Sequence, residues 1–388
     1  MPIHDDEVRA TVGQVRRLVA AQCPPWADLP VTALAGELEG TDHVLFRIGG
    51  DLVARMPKIA TAVDQADSDA RWLPVLAPHL PVRIPVPLHL GEPGAEYPWR
   101  WTVVPWIPGD TPPRLGCDDV PLARDVAAFV RALHRVETAG GPVKPPGSRG
   151  SALRHVDAGV RRVLPRLAEH DDGFDVAEAE AAWDACHAAP DWDRDPVWIH
   201  GDLQPGNLIT DAGRLLAVVD FGALGVGDPA PDVAPALWTF TGAARDAYRT
   251  AVGYDDATWR RACGWALAPS LTSVDYYRHS FPRMAEHGRR MVRAVIAELV
   301  SATAGSGSGR RTPSRRQVRL SALIATGAGV VCGGDTAQAS LCLSGISVPA
   351  AAVHQFTRLP RLRQPERRQD CDQTPRPLKH AVGSLGWS

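Results

Sequence analysis

The sequence lacks the features that would place it in a membrane, in a disulfide-stapled class or on nucleic acid. Its longest weakly polar run, about residues 320–334, is Gly-rich and falls short of the roughly 18–20 residues that span a bilayer. The opening Met1-Pro2-Ile3-His4-Asp5-Asp6-Glu7 has neither a cationic n-region nor an apolar h-region, so a cytoplasmic location is expected. Seven cysteines, at 23, 117, 186, 263, 332, 342 and 371, form no C-x-x-C pair, which argues against zinc sites and for reduced thiols. No zinc-finger spacing occurs, and the basic residues of the C-terminal segment are not interleaved with aromatics, so nucleic acid is not an expected partner. Lysine is scarce before that segment, limited to Lys58 and Lys144.

What is present is a globular composition, 45% apolar and 22% charged over 388 residues, with length for roughly two or three domain-sized units. The formal net charge of −2 joins two unlike parts. Up to Val300 there are 30 basic against 40 acidic residues; after it, 12 against 4. The two parts are not expected to share a core.

Val8, Val12, Val15 and Val19 recur at helical spacing behind Asp5-Asp6-Glu7, predicting a first helix with its positive end toward the acids. Two β-type runs, residues 44–48 and 52–56, joined by Gly49-Gly50-Asp51, predict a hairpin. A helix follows over about 62–73, ended by Pro74, and a strand over 101–107. Helices dominate from Leu122 onward, with predicted segments near 153–168 and 176–188. They are interrupted by apolar runs at 197–199, 208–209 and 215–219, the last two joined by the turn Asp211-Ala212-Gly213. The expected architecture is α+β and bilobal: a small N-terminal β-rich lobe over 1–105 and a larger, mostly helical lobe over 106–300. A basic tail, 301–388, is expected to be largely disordered; out-of-frame or non-selected sequence is one origin for it, a genuine flexible tail the other.

The densest polar sequence is His200-Gly201-Asp202-Leu203-Gln204-Pro205-Gly206-Asn207, followed by Asp220-Phe221-Gly222 and Gly227-Asp228-Pro229-Ala230-Pro231-Asp232. Each piece alone reads as a turn, a cap or a core histidine. Together they reproduce H-x-D-L-x-x-x-N with a D-F-G one hairpin later. Phosphoryl transfer needs a carboxylate for the proton of the attacking hydroxyl and oxygen ligands that hold Mg²⁺ against a triphosphate. Asp202, with His200 beside it, suits the first role; Asn207 and Asp220 suit the second.

At these residues the chain resembles the aminoglycoside phosphotransferase family of small-molecule kinases, which shares the protein-kinase-like fold. The resemblance spans roughly residues 30–300. It rests on W-I-H-G-D-L-Q-P-G-N-L-I (198–209) and A-V-V-D-F-G-A-L-G-V-G-D-P-A-P-D-V-A (217–234), and more loosely on L-V-A-R-M-P (52–57), R-W-L-P (71–74) and W-T-V-V-P-W-I-P-G (101–109). It implies ATP between two lobes, with adenine near Val104–Trp106 and phosphates under the turn Gly36-Glu37-Leu38-Glu39-Gly40-Thr41, which lacks G-x-G-x-x-G. Where the family pairs a strand Lys with a helix Glu, this chain offers Arg55 and Asp69.

Nine residues separate Gly222 from Asp232, none of them Ser, Thr or Tyr, so a small-molecule acceptor is favoured over a peptide. Asp228 and Asp232 read as structural supports for the catalytic and metal loops. An acidic body suits a cationic acceptor, and Trp265, Asp275, Tyr276 and Tyr277 are candidates to contact it. The leading expectation is ATP- and Mg²⁺-dependent phosphorylation of a hydroxyl on an aminoglycoside or similar antibiotic. The alternatives are a kinase for an endogenous amino sugar, amino alcohol or glycated amine, and a catalytically weak nucleotide-binding protein. Oligomeric state is not read from the sequence.

Overall fold

The computed structural model describes residues 7–34, 42–113 and 116–305. Its first helix, α1 (Val12–Gln22), begins at Thr11 and not behind the acidic run. Thr11 Oγ1 accepts from Gln14 N (3.2 Å) while Gln14 Oε1 accepts from Thr11 N (2.9 Å), a reciprocal cap that satisfies two otherwise orphaned donors.

Beyond α1 lies a five-stranded antiparallel sheet of β1 (Val31–Ala33), β2 (His43–Ile48), β3 (Leu52–Pro57), β4 (His89–Gly91) and β5 (Trp101–Pro105), in the order β1-β2-β3-β5-β4. The expected hairpin is β2–β3, closing at Ile48↔Leu52; Gly49 in its turn has φ +58°, a conformation that favours glycine. One sheet face buries Phe46, Ile48, Ala54, Met56 and Val103 against Val15, Leu18 and Val19 of α1. Strand alternation then turns Arg55 to the opposite face, where helix α2 (Gln65–Leu76) brings Asp69. Pro74 lies inside α2 and does not end it; so near the C-terminus the helix forgoes one hydrogen bond and keeps its last turn.

The larger part is helical: α3 (Val120–Leu133), α4 (Asp157–Leu167), α5 (Val176–His187), the short α6 (Ala230–Val233) and α7 (Pro235–Trp238), then α8 (Gly242–Val252), α9 (Asp256–Tyr276) and α10 (Pro282–Gly305). Helix α9 is the central post, packed by α4, α5, α6 and α10, and its Ala262, Cys263, Ala266, Leu267 and Leu271 are fully buried. Two ribbons are set into the helices. The expected hairpin is β7 (Leu208–Asp211) with β8 (Arg214–Val218). The other pairs β6 (Val197–Ile199) with β9 (Gly225–Gly227), a strand that its Gly-Val-Gly sequence does not announce.

Helix α10 runs past residue 300 to Gly305. The remainder of the expected tail, and Gly40 and Thr41 of the expected phosphate turn, lie outside the described residues. Among the described residues no helix is long and apolar enough to cross a membrane.

Candidate active site

The ribbon β6–β9 delivers the His200–Asn207 loop, and Asp232 in the short helix α6 fixes it. Its carboxylate accepts from His200 N (2.8 Å) and Gly201 N (2.7 Å), the supporting role its spacing suggested. Gly201 has φ +78°, a conformation that favours glycine, and a Cβ there would press on Ala223 O at 3.0 Å. Asp228, the other expected support, accepts from Ala230 N (3.0 Å) and from buried Arg261 Nε (2.6 Å).

His200 is fully buried. Its Nδ1 accepts from Asp202 N (3.2 Å), which leaves the proton on Nε2 to be donated to Val219 O (3.1 Å). Its ring meets Phe221 edge-on at 4.6 Å. Both nitrogens are thus spent on backbone, and the ring shapes the loop without reaching the cleft.

Asp202 is almost wholly buried. Its Oδ1 accepts from Arg149, and its Oδ2 from Gln204 Nε2 (3.1 Å) and Asn207 Nδ2 (3.3 Å). Asn207 also donates to Asp202 O (2.8 Å), which commits its amide nitrogen and turns its carbonyl oxygen to other use. Asp220 has a left-handed backbone, φ +63°, a strained conformation for a residue other than glycine, and its carboxylate is one-third exposed. A carboxylate and an amide oxygen form a hard donor set of the size that Mg²⁺ takes from protein when phosphates and water complete its shell. Among the described residues no cluster of three or more His, Cys, Asp or Glu could hold a metal.

Arg55 and Asp69 meet: Nη1 donates to Asp69 Oδ2 at 2.7 Å, and Nη2 lies 3.6 Å from Asp220. With its amide oxygen toward them, Gln65 accepts from Gly222 N (2.9 Å) and Arg55 Nη2 (3.0 Å). Burial outweighs the Arg55 guanidinium and pushes the Asp69 carboxyl up to about 6, with Asp220 adding in the same direction. Val104 is buried in β5. Trp106 lies two residues on, its backbone N–H donating to Asp51 O (2.7 Å) and its indole covered by Arg47 at 4.0 Å.

A cavity of about 460 Å³ opens between α2, the Phe221–Leu224 segment, α4 and α9. A smaller one of about 60 Å³ lies over Asp202 and Gln204 against α9 and α10. Of the four residues expected to contact an acceptor, Trp265 alone lines the larger cavity. It is buried, and among the described residues its Nε1 has no hydrogen-bond partner. Asp275 lines neither cavity and is paired with Arg166, at 2.9 Å from Nε and 2.5 Å from Nη2. Tyr277 is buried in a small cluster with Met284 and Ala285, and Tyr276 is exposed beside it; neither lines a cavity described here.

Three participants escape sequence reasoning. Arg149 and Lys144 belong to a loop tied to β9 and the residue after it by Val226 N to Pro142 O (2.8 Å), Lys144 N to Val226 O (2.9 Å) and Asp228 N to Gly150 O (2.9 Å). Arg149 is 53 residues upstream of Asp202, and its loop carries no motif that would have singled it out. Lys144 Nζ donates to Ala223 O (2.8 Å), and burial lowers it to about 8. The third, Gln65, looks like an ordinary first-turn helix residue until the fold sets it against Gly222.

The phosphotransferase enzyme family matches residues 35–265, and the chain belongs to that family. Its fold is α+β, that of the aminoglycoside phosphotransferase structures described next. It is 27% identical over 147 residues to the aminoglycoside 3'-phosphotransferase of Escherichia coli, a match covering 37% of this chain and 53% of that protein. A counterpart from Salmonella typhimurium matches equally; the chain thus spans about half the length of these curated relatives. Among solved structures, the GDP complex of wild-type aminoglycoside 2'-phosphotransferase-IIIa superposes with a TM-score of 0.59 at 19% identity, covering 75% of this chain and all of that one. The GDP and kanamycin complex of APH(2")-IIia gives 0.57 at 18% identity, covering 73% and 98%. At these identities the likeness establishes fold.

Proposed function

We propose that the protein transfers the γ-phosphate of ATP to a hydroxyl of an aminoglycoside or related antibiotic. The observation that carries this reading is the setting of Asp202: a buried carboxylate on a braced loop, hydrogen-bonded to Asn207, with Asp220, one hairpin later in the chain, linked through Arg55 to Asp69. Asp202 orients the acceptor hydroxyl and takes its proton. Arg55, held by Asp69, presents a guanidinium to phosphate oxygens. Asn207 and Asp220 would hold Mg²⁺, which supplies charge neutralisation at the phosphates when bound. The aminoglycoside substrates in the relatives' names support the acceptor class.

The lining of the larger cavity favours a second acceptor class. It brings Lys144, Arg149, Arg162 and Arg166 against Asp42 and Asp64, among apolar side chains such as Val156, Val160 and Val163. Arg149 and Arg166 are already paired with Asp202 and Asp275, so the lining carries little excess charge of either sign and suits an uncharged hydroxyl compound better than a polyamine. One experiment tests both: incubation with ATP and Mg²⁺ against a panel of aminoglycosides, neutral antibiotics and hydroxy acids, read by mass spectrometry. The expected result is a gain of one phosphoryl group on a panel member. ATP binding without phosphorylation of any hydroxyl would overturn the kinase reading.

A further inference from the structure

We infer that Arg149 is the catalytic cation that neutralises the phosphoryl group in flight, an arginine finger supplied from within the chain. The inference rests on the phosphotransfer reading above. In phosphoryl transfer the acceptor oxygen bonds to the γ-phosphorus and the bond to the bridging oxygen breaks, its electron pair leaving on ADP. The acceptor proton passes to Asp202. Negative charge is spread meanwhile over three equatorial oxygens, and a preorganised cation beside them speeds the step.

The catalytic loop itself offers none: residues 200–207 contain no Lys or Arg. Lys144 is turned to Ala223 O, and Arg55, held by Asp69, is already assigned to the nucleotide's phosphates and has no hydrogen bond or ion pair with Asp202 among the described residues. Arg149 stands where the charge would develop. Its Nη1 donates to Asp202 Oδ1 and to Gly201 O (3.0 Å), and the side chain lines both the large and the small cavity. It is 17% exposed, so its charge is only partly screened. Among the described residues both of its hydrogen bonds run through Nη1, which leaves Nε and Nη2 for a bidentate grip on phosphate oxygens. The backbone that carries it is pinned on both sides, by Lys144 N to Val226 O and by Asp228 N to Gly150 O. A cation held this way needs no reorganisation at the moment of reaction.

The test uses the full chain, with water as acceptor and ADP, Mg²⁺ and aluminium fluoride as the planar mimic of the transferring group. Arg149→Ala and Arg149→Lys are compared with the wild type for ATP hydrolysis, for ADP affinity and for the gain in ADP affinity on adding fluoride. Circular dichroism checks folding, and the lysine variant keeps the test open should alanine unfold. We expect hydrolysis to fall about 10²–10³-fold in both variants, ADP affinity without fluoride to hold, and the fluoride-dependent gain to collapse. Added guanidinium should restore part of the loss in Arg149→Ala. Wild-type-like hydrolysis in the variants overturns the inference. So does reduced hydrolysis with an unchanged fluoride gain, which would make Arg149 a support for Asp202 alone. A wild type that binds no ADP and hydrolyses no ATP overturns the phosphotransfer reading itself, a result visible before any variant is compared.

Discussion

At the scale of single residues, the site joins groups with opposite demands. In the proposed transfer Asp202 receives a proton, while Arg149, Gln204 and Asn207 all donate hydrogen bonds to it. Asp202→Asn preserves the shape and removes the base; kcat should fall by about 10²–10⁴ with the circular dichroism spectrum and ATP affinity unchanged. Near-normal turnover would take Asp202 out of the mechanism. Asp69 poses a second demand. Its folded carboxyl sits at about 6 against an ordinary value of 3.8, because burial outweighs its ion pair. The folded state therefore binds this proton more tightly than the unfolded chain. The stability it contributes is full below pH 3.8 and is lost as pH rises through 6, a change on the order of 3 kcal/mol. Function runs the other way, since Arg55 is best held by an ionised partner. The kcat/KM for ATP should rise with pH along a limb near 6. A profile flat from pH 5 to 8 would show that the Arg55–Asp69 pair does not govern nucleotide handling.

At the scale of elements, the loop's supports outweigh its own propensities. Asp232 satisfies two backbone donors and also meets His134 Nε2 at 3.1 Å. Asp232→Ala strands those donors in a buried place at about 1–3 kcal/mol each. Urea unfolding should show a loss of several kcal/mol, together with lost activity; an unchanged midpoint would mean the loop is held by other means. The elements also show where sequence was legible. The β2–β3 and β7–β8 hairpins follow from alternating apolar residues around Gly-containing turns, and Asp202, Asn207 and Asp220 follow from motif spacing. Strand β9 was hidden because Gly225-Val226-Gly227 has no strand propensity and exists through its pairing with β6. The first helix starts later than charge implied, because Thr11 and Gln14 form a better cap than a distant acidic run. The Arg149–Asp202 and Arg166–Asp275 pairs were not legible for one reason: which carboxylate an arginine reaches is decided by packing across more than fifty residues.

At the scale of the whole molecule, charge and cleft disagree in an informative way. The part up to Val300 is acidic by 30 basic against 40 acidic residues, yet the larger cavity is lined by more cations than acids. Long-range attraction of a cationic acceptor and its local reception are therefore separate questions, because the first decays over a Debye length of about 8–10 Å and the second does not. The segment after residue 305 carries 12 basic against 4 acidic residues and lies beyond the family match, which ends at residue 265. A chain ending at Gly305 keeps all of α10, whereas a cut at residue 300 removes its last turn. We expect the 1–305 chain to retain the melting temperature and ADP affinity of the full chain. Removing net positive charge should raise its rate with polycationic acceptors at low salt and leave its rate with neutral acceptors unchanged. Loss of folding or of ADP binding in that truncation would show that the basic segment belongs to the enzyme. An equal salt response for both acceptor types would show that the cavity lining, and not the field of the body, sets the choice.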